Sequence, residues 1–511
     1  MTLPENVISN GIKDRKEQFQ IRIMKKIQWL VFFISFSLSA VLHAQTKTFE
    51  IIPQFPEPGE QFTISYNPTS TNLKDATAVS GLMCIYDNFK WIVKDFSLIK
   101  TRVGTWETRE QLSSQAAVIC CVFNSGSEID NGGKEAYSGL LEQSTAAYVG
   151  WTMLHSAVFQ KEIPVKLDTV SFIKDSVAFQ WLKSKIEQNP QSRLDAFYQL
   201  LMLHKIVEPT TAQECIKSEL RFLLMHPLDN QKQYNVQKVL ALLDGTKNKV
   251  FVDSVQKALI KSYPKGVYAR DLALKKIFLE ANPVSKGNQY FDFVSKFLKQ
   301  DFEDVNTEAE ILYNDKIYKS IINHAIKKNN DFSIVLNSLK ELSFANLIDF
   351  SRELISVPFN NKKTSVEILN VFASSIVSEI ETRTFYVPKE YREKLSLNQW
   401  RKFALKNAAP EYFTYAKILE KLQKYKESQR FLEKIRLEYG YENASFNEVY
   451  YRMLIRNDKI AEARNYFELT IKENKVTSAM FVLAKKNFLK DSGNESEFEN
   501  YLKSLQIEEK K

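Results

Sequence analysis

The sequence predicts an α+β multidomain protein in which a small antiparallel, Ig-like β-sandwich is followed by an all-α solenoid of TPR-like repeats. The first observation is length, because 511 residues exceed the roughly 250–300 residues at which a single hydrophobic core stops growing. The second is a series of short segments with period-two alternation within residues 48–165. The third is a change to the 3.6-residue period of amphipathic helices, which continues over residues 169–505.

The carboxyl-terminal part contains helical hairpins that repeat at a fixed step. In the second helix of each of three successive hairpins, equivalent positions lie about 35 residues apart: Ser428, Ala463 and Phe498. This step is within the range of tetratricopeptide repeats. Each of these positions is followed four residues later by a large apolar residue: Leu432, Phe467 and Leu502. Such hairpins bury their apolar faces only by stacking on neighbours. We therefore expect irregular α-helical repeats over residues 169–408, TPR-like repeats over 409–505 and a polar tail over 506–511.

The amino-terminal residues have the pattern of a secretory signal. Lys25 and Lys26 precede the apolar stretch 27–42, and Ala44 is followed by polar residues. The apolar stretch is shorter than the roughly 20 residues that a membrane-spanning helix needs. We expect a signal peptide over residues 24–44 that begins near Met24 and is cleaved after Ala44. This predicts a periplasmic or secreted protein with no transmembrane span after cleavage.

Residues 1–23 are polar and of mixed charge, which is unusual in front of a signal peptide. Met24 stands where a signal would begin, so we interpret residues 1–23 as a mis-assigned start. An extended n-region and an uncleaved membrane anchor are the alternatives.

Six strands are expected in the β-sandwich domain, residues 48–165. Each combines β-branched and aromatic residues with flanking turn residues, and they cover residues 49–52, 61–66, 78–86, 94–99, 103–108 and 116–123. The loop Asp130-Asn131-Gly132-Gly133 is expected to need positive φ at its glycines. Residues 147–159 lack alternation and are expected to form a short helix that leads out of the sandwich. Three tryptophans are interpreted as core or edge aromatics, with a ligand platform as the alternative: Trp91, Trp106 and Trp151.

The chain has four cysteines, Cys84, Cys120, Cys121 and Cys215. An oxidising compartment permits a disulfide, and Cys84 could pair with Cys120 or Cys121 if their strands are neighbours. Buried free thiols are the competing interpretation. The adjacent pair Cys120-Cys121 lacks the Cys-x-x-Cys spacing of a redox motif, and Cys215 has no evident partner.

The helical region is expected to consist of helices of about 13 residues, each ended by Pro, Gly or Asn. The predicted helices cover residues 172–186, 194–206, 211–224, 233–243, 250–263, 267–279, 290–298, 309–328, 332–342, 344–355 and 364–382, followed by a helix around Trp400 that stops before Pro410. Short connections between such helices are typical of an α-solenoid.

No residue pattern points to a catalytic, cofactor or metal site. The five histidines are scattered, and no His-Glu-x-x-His pair indicates zinc. No Gly-x-Ser-x-Gly motif indicates a serine hydrolase. The formal charge of +9 is distributed along helices that alternate Lys and Glu, so no basic face predicts nucleic-acid binding. We expect no cofactor and no catalytic residue.

Three segments make the overall layout familiar: Pro-Gly-Glu-Gln-Phe-Thr-Ile-Ser-Tyr-Asn-Pro at 58–68, the Asp130-Asn131 loop and Ser-Tyr-Pro-Lys-Gly at 262–266. With them, the layout over residues 49–505 resembles the amino-terminal part of TlpA-like thioredoxin-family disulfide reductases of Gram-negative envelopes. In that family a thioredoxin domain with Trp-Cys-x-x-Cys follows the helices. This sequence stops at Lys511, where that domain would begin, and it contains no Cys-x-x-Cys, so no catalytic residue can be assigned from the resemblance.

Three functions follow as hypotheses. The leading one is a secreted or periplasmic, non-enzymatic scaffold that binds a protein or peptide partner of the envelope through its helical repeats. The second is the non-catalytic part of a truncated or split TlpA-like thiol-disulfide oxidoreductase. The third is a glycan-binding or outer-membrane-associated accessory protein, which exposed rings at Trp91, Trp106 and Trp151 would favour.

Overall fold

The computed structural model describes residues 47–57, 59–102, 104–141, 144–164, 172–329, 339–360, 365–492 and 494–505. A region of two antiparallel sheets is followed by an all-helical region, so the coarse α+β prediction is confirmed. The predicted signal at 24–44, the segment 1–23 and the tail 506–511 lie outside the described residues.

The two sheets are built from nine strands within the described residues. The strands are β1 Phe49–Ile52, β2 Gln61–Tyr66, β3 Ser80–Asp87, β4 Lys90–Ser97, β5 Ile99–Lys100, β6 Trp106–Gln111, β7 Ala116–Ser125, β8 Glu128–Asp130 and β9 Tyr137–Leu140. The first sheet has the order β1-β2-β6-β5, and the second has the order β4-β3-β7-β8 with β9 also paired to β7. β4 begins four residues before the predicted strand, because Asn88 and Phe89 adopt positive φ (45° and 61°) in a two-residue turn.

Both sheets contribute side chains to one core. The first sheet supplies Phe62 and Ile64, and the second supplies Met83, Ile119 and Phe123. Because successive side chains of a strand point to opposite faces, the alternate residues of β3 and β7 form a second core on the other side of their sheet. That core contains Cys84, Tyr86, Val118 and Cys120 and is covered by the first helices of the helical region. The second sheet is therefore buried on both faces.

The predicted glycine loop organises one end of the sandwich. Gly132 and Gly133 have φ of 78° and 58°, so the expected positive φ is confirmed. The Asp130 carboxylate accepts hydrogen bonds from the hydroxyls of Tyr66 (2.6 Å) and Tyr137 (2.9 Å) and from the backbone N–H of Gly132 (3.1 Å). These hydrogen bonds connect the Asp130 carboxylate to β2, to β9 and to the backbone of the glycine loop. The loop therefore has a structural role.

The strand register distinguishes between the two predicted partners of Cys84. Cys84 lies directly opposite Cys120 on the neighbouring strand, and both side chains belong to the core beneath the helices. Cys121 belongs instead to the core between the sheets. All three thiols are free and buried, whereas Cys215 is partly exposed. A disulfide of Cys84 stays a prediction, and Cys120 is the partner that shares its face of the sheet.

Thiol labelling of the native protein should modify Cys215 alone. Burial raises the pKa of Cys120 to about 12 and raises the pKa of Cys84 and Cys121 well above its usual value, so these thiols are both inaccessible and protonated. Intact mass after N-ethylmaleimide should show one adduct natively and four after denaturation without reductant. Two adducts after denaturation would instead establish the disulfide, and native labelling of Cys120 would contradict its burial.

The helices that the structure describes follow the predicted order closely. They are α1 Thr145–His155, α2 Asp175–Gln188, α3 Arg193–Val207, α4 Pro209–Leu223, α5 Asn230–Leu240, α6 Lys249–Ser262, α7 Val267–Leu279, α8 Pro283–Lys296, α9 Asp315–Asn329, α10 Phe344–Ser351, α11 Val357–Asn360, α12 Val366–Arg383, α13 Leu397–Lys421, α14 Tyr425–Tyr439, α15 Ala444–Arg456, α16 Ile460–Lys472, α17 Ser478–Ser492 and α18 Glu495–Ser504. α1 replaces the helix predicted at 147–159, and 3-10 turns over Ala157–Glu162 complete that segment. The predicted helix at 332–342 lies outside the described residues except for a 3-10 turn, Leu339–Glu341.

Pro410 does not end a helix, and the predicted stop at this residue is wrong. α13 runs through Pro410, so the predicted boundary between residues 408 and 409 falls inside one helix. A proline inside a helix costs about 3 kcal/mol, but large side chains are buried on both sides of it, including Trp400 and Tyr412. Each such burial contributes roughly 1.5–3 kcal/mol, and Ser396 and Gln399 form a capping box at the amino end.

Two helices contain a wider π-turn that periodicity did not predict. One turn, Glu310–Asn314, leads into α9, and the other, Arg352–Ser356, joins α10 to α11. At the second turn, the buried Glu411 of α13 accepts hydrogen bonds from Ser351 (2.8 Å) and Ser356 (3.0 Å). Burial raises the pKa of this carboxyl group. The contact ties α13 to the π-turn.

Candidate interaction surface

The histidines make local contacts that account for their positions. His226 Nδ1 lies 2.9 Å from the Phe222 carbonyl oxygen, and His204 Nε2 lies 3.1 Å from the Thr211 hydroxyl. The His155 ring packs at a tilted angle against the Trp151 ring, with 4.3 Å between the ring centroids, and burial lowers the pKa of His155. Within the part of the chain that the structure describes, no group of three or more His, Cys, Asp or Glu side chains could hold a metal ion.

A groove of about 390 Å³ is lined by serines of α12. It lies between Leu339 and Lys340 on one side and Ser374, Ser375 and Ser378 on the other. The hydroxyls of Ser374 and Ser375 both donate to the Val371 carbonyl at 3.0 Å. A serine nucleophile needs an adjacent general base that accepts its proton, and these two hydroxyls are instead engaged with the backbone of their own helix.

A buried ion-pair network lies inside the helical region. Arg270 Nε and Nη2 donate to Asp271 Oδ1 at 3.1 and 3.0 Å, and Nη2 also donates to the Thr307 hydroxyl at 2.9 Å. Glu310 lies 3.1 Å from Arg270 Nη1 and 2.9 Å from Lys389 Nζ. The network joins α7, the π-turn before α9 and the turn at Lys389. The charged side chains of the network are paired with one another. Because buried charges are tolerated only when they are paired, this arrangement indicates a structural role.

Two of the three tryptophans predicted to be core or edge aromatics are buried, and the third is partly buried. Trp91 and Trp106 are each 5% exposed, which confirms that they are core aromatics. Trp91 lies 5.0 Å from the ring of Tyr86, and Trp151 packs partly buried against the second-sheet core. Trp91 and Trp106 therefore lack the aromatic exposure that would favour a glycan-binding sandwich, and Trp151 is only partly exposed.

Helix α8 has two apolar faces, and only one of them is covered. Its inner face packs Tyr290 and Phe293 into the main helical core, and the Tyr290 hydroxyl donates to Asn314 at 2.7 Å. The outer face carries three large apolar side chains, Val284, Phe291 and Val294, and Leu298 lies two residues beyond the end of the helix; all four side chains are 38–60% exposed. We call these four residues the α8 stripe.

Three members of the α8 stripe follow helical geometry. Val284, Phe291 and Val294 are separated by seven and three residues, which places them on one side of the helix. The fourth member follows just after the end of the helix. Exposed apolar patches on soluble proteins mark interaction sites. Ile311 and Leu312 in the π-turn before α9 are also exposed, at 52% and 49%. The arrangement can bind an apolar surface of another macromolecule.

The start of α8 explains why the stripe is presented so regularly. The Asn282 side chain accepts hydrogen bonds from the backbone N–H of Val284 (2.9 Å) and Ser285 (3.2 Å), and Pro283 occupies the first turn, where its missing N–H costs nothing. The predicted helix begins only at residue 290, because Pro283 is a local stop signal. Val284 lies outside this predicted helix, so the sequence pattern alone does not reveal the stripe.

Comparisons with known proteins identify no relative. No family model, curated protein or solved structure matches this chain. Among the residues that the structure describes, no helix has both the length and the apolar character that crossing a membrane requires. The candidate site therefore depends on the geometry of the chain itself.

Proposed function

We propose that this chain is a non-catalytic binding protein of the cell envelope, and that the α8 stripe is its contact surface for a partner protein. The observation that carries the proposal is the exposure of three large apolar side chains on one face of a helix whose other face is already packed, together with the exposed Leu298 just after the end of that helix. Removing them from water is favourable by about 25 cal/mol per Å² of apolar surface. The envelope location follows from the signal-like residues before Ala44 and is part of the proposal.

The TlpA-like alternative is less well supported by the cysteines. An attacking thiol in disulfide exchange needs a lowered pKa and access to its substrate. Burial raises the pKa of Cys84, Cys120 and Cys121, and the partly exposed Cys215 also has a raised pKa, because of burial and the nearby Glu219. We therefore favour binding over thiol exchange as the role of this chain.

Site-specific photo-crosslinking tests the proposal. A benzoylphenylalanine at position 294 should give a discrete cross-linked product with an envelope protein, and Phe291→Gln in the same chain should abolish it, because the polar side chain removes the centre of the apolar contact. A product at twice the mass of the chain would identify a second copy as the partner.

The matched control is Val482 on α17, which is 65% exposed but is outside the α8 stripe. Benzoylphenylalanine at position 482 should give no comparable product. Phe291→Gln should change the free energy of unfolding by no more than about 0.5 kcal/mol, because the side chain is exposed. Equal products from positions 294 and 482, or no product from 294, would contradict the proposal.

A further inference from the structure

The helical region returns to the sandwich at strand β4, far from the point where it leaves the sandwich in sequence. Lys90 Nζ donates to the Asp304 carbonyl at 2.9 Å. The Asp95 carboxylate accepts hydrogen bonds from the Ser396 hydroxyl (2.6 Å) and the Asn398 backbone N–H (3.1 Å). Lys90 and Asp304 are separated by 214 residues in the sequence. Asp95 is separated from Ser396 by 301 residues and from Asn398 by 303 residues. We call these contacts the β4 clasp.

Asp95 supplies part of the cap of a helix in the other region. Ser396 and Asn398 form the first turn of α13, where backbone N–H groups lack partners within the helix. A carboxylate is stabilised there by these donors and by the positive end of the helix dipole. Ser396 also accepts from the Gln399 N–H at 3.2 Å, so α13 keeps its own cap when Asp95 leaves.

No apolar core is shared across the clasp. The sandwich cores extend only as far as α3, and the main helical core begins with the partly buried Tyr234 and ends in α18. Two of the three clasp hydrogen bonds are exposed, so water can replace them, and such bonds have a small net free energy. Each side therefore keeps its own apolar core when the clasp is broken, and a further core formed by α3 to α6 connects the two sides along the chain.

A charged cluster lies beside the clasp. Glu162 accepts from the Tyr198 hydroxyl at 3.0 Å and lies 3.6 Å from Lys238 Nζ. Burial raises the pKa of Glu393. The positive charges of Lys90 and Lys238 oppose this rise, and the negative charge of Glu162 adds to it. These groups come from the sandwich, from α5 and from the turn before α13. The interface is thus polar throughout its described contacts.

We propose that the β4 clasp is a reversible closure, in which the helical array detaches from β4 as a unit while both regions stay folded. Asp95 holds the closed form, because it alone bonds two groups of the opposite region. β4 is the edge strand of its sheet in the closed form too, and in the open form its side chains Lys90 and Asp95 are released from the helical region. This inference is independent of the α8 stripe.

Hydrogen exchange of the first turn of α13 measures the closure. Asp95→Ala should accelerate exchange at Asn398 about tenfold, because this N–H loses its acceptor, whereas Gln399 keeps its bond to Ser396. Lys90→Met should accelerate exchange at the Asn398 amide as well, although the hydrogen bond of Lys90 is to Asp304, because the clasp opens as a unit. Small-angle scattering should show a larger radius of gyration for both variants.

Glu107→Ala is the matched control, since Glu107 of β6 accepts only from nearby sandwich side chains, Ser65 and Thr105, each at 3.4 Å. It should leave exchange at Asn398 unchanged. Unchanged exchange in Asp95→Ala would overturn the proposal, and so would an effect of Lys90→Met confined to Asp304 and its neighbours. Equal acceleration throughout both regions, with a lower melting temperature, would also overturn it, because the clasp would then be an inseparable part of the fold.

Discussion

Replacing Arg270 with leucine should lower the free energy of unfolding at pH 7 by about 3–5 kcal/mol, the usual cost of breaking a buried ion pair from one side. Asp271 is 6% exposed, and its Oδ1 loses two donor atoms of Arg270. Its Oδ2 has no partner among the described side chains. Urea unfolding followed by circular dichroism measures the loss.

The pH dependence of this loss identifies its cause. Burial raises the pKa of Asp271 above its usual value, and the Arg270 charge opposes that rise. A carboxyl group with a raised folded-state pKa destabilises the protein as pH increases through that pKa. Removing Arg270 raises the pKa further, so the loss should be larger at pH 8 than at pH 4.5.

The double variant Arg270→Leu, Asp271→Asn provides the control, because it has no buried carboxylate at this position. The free energy of unfolding of the double variant should be higher than that of Arg270→Leu. Residue 271 should make no contribution to its pH dependence between pH 4.5 and pH 8, because asparagine does not ionise. A loss below about 1 kcal/mol in Arg270→Leu, or a loss that is equal at both pH values, would show that water reaches the carboxylate and that the network is not buried in solution.

Replacing Trp400 with alanine should cost about 3–5 kcal/mol, as expected for deleting a large aromatic side chain from a packed core. Trp400 is fully buried, and its ring lies 4.7 Å from Phe344 and 4.9 Å from Tyr391. Its Nε1 donates to the Arg383 carbonyl at 2.7 Å. Thermal and urea unfolding of the variant should both shift to lower midpoints.

Two further variants separate packing from hydrogen bonding at this position. Trp400→Phe keeps most of the apolar volume but leaves the Arg383 carbonyl unpaired, so it should cost about 1–3 kcal/mol. Phe385→Ala removes a side chain that is 73% exposed and should cost no more than about 0.5 kcal/mol. A similar cost for Phe385→Ala and Trp400→Ala would contradict the packing described around α13.

Local sequence patterns predict those elements whose burial pattern is simple. β2 alternates exposed and buried residues along its length, and its predicted bounds, 61–66, are the observed ones. α7 is bounded by Gly266 and by the residues before Pro283, and its predicted bounds, 267–279, are also observed. β5, β8 and β9 have only two to four residues, too few for alternation to be recognised.

The candidate sites were harder to predict because they depend on contacts that periodicity does not encode. The apolar residues of α8 occur on two faces, and spacing alone does not say which face the rest of the chain covers. Asp95 and Ser396 are unremarkable polar residues in the sequence, and only the folded chain brings them to 2.6 Å. At Pro410 the local sequence gives a strong signal, a proline that should end a helix, and the prediction is wrong. The burial of large side chains before and after Pro410 outweighs the cost of the proline, so α13 continues through it.

The distance along the chain between the two halves of the β4 clasp has a consequence for biosynthesis. Ser396 is made 301 residues after Asp95, and at a synthesis rate of roughly 5–20 residues per second this takes about 15–60 s. During this interval β4 is an uncovered edge strand on a nascent sandwich. Charged residues on such an edge prevent pairing between chains, and β4 carries three of them: Lys90, Lys94 and Asp95. Lys90 and Asp95 later form the clasp. The same two side chains therefore prevent pairing of the nascent strand and, after the helical region has been synthesised, bind that region to β4.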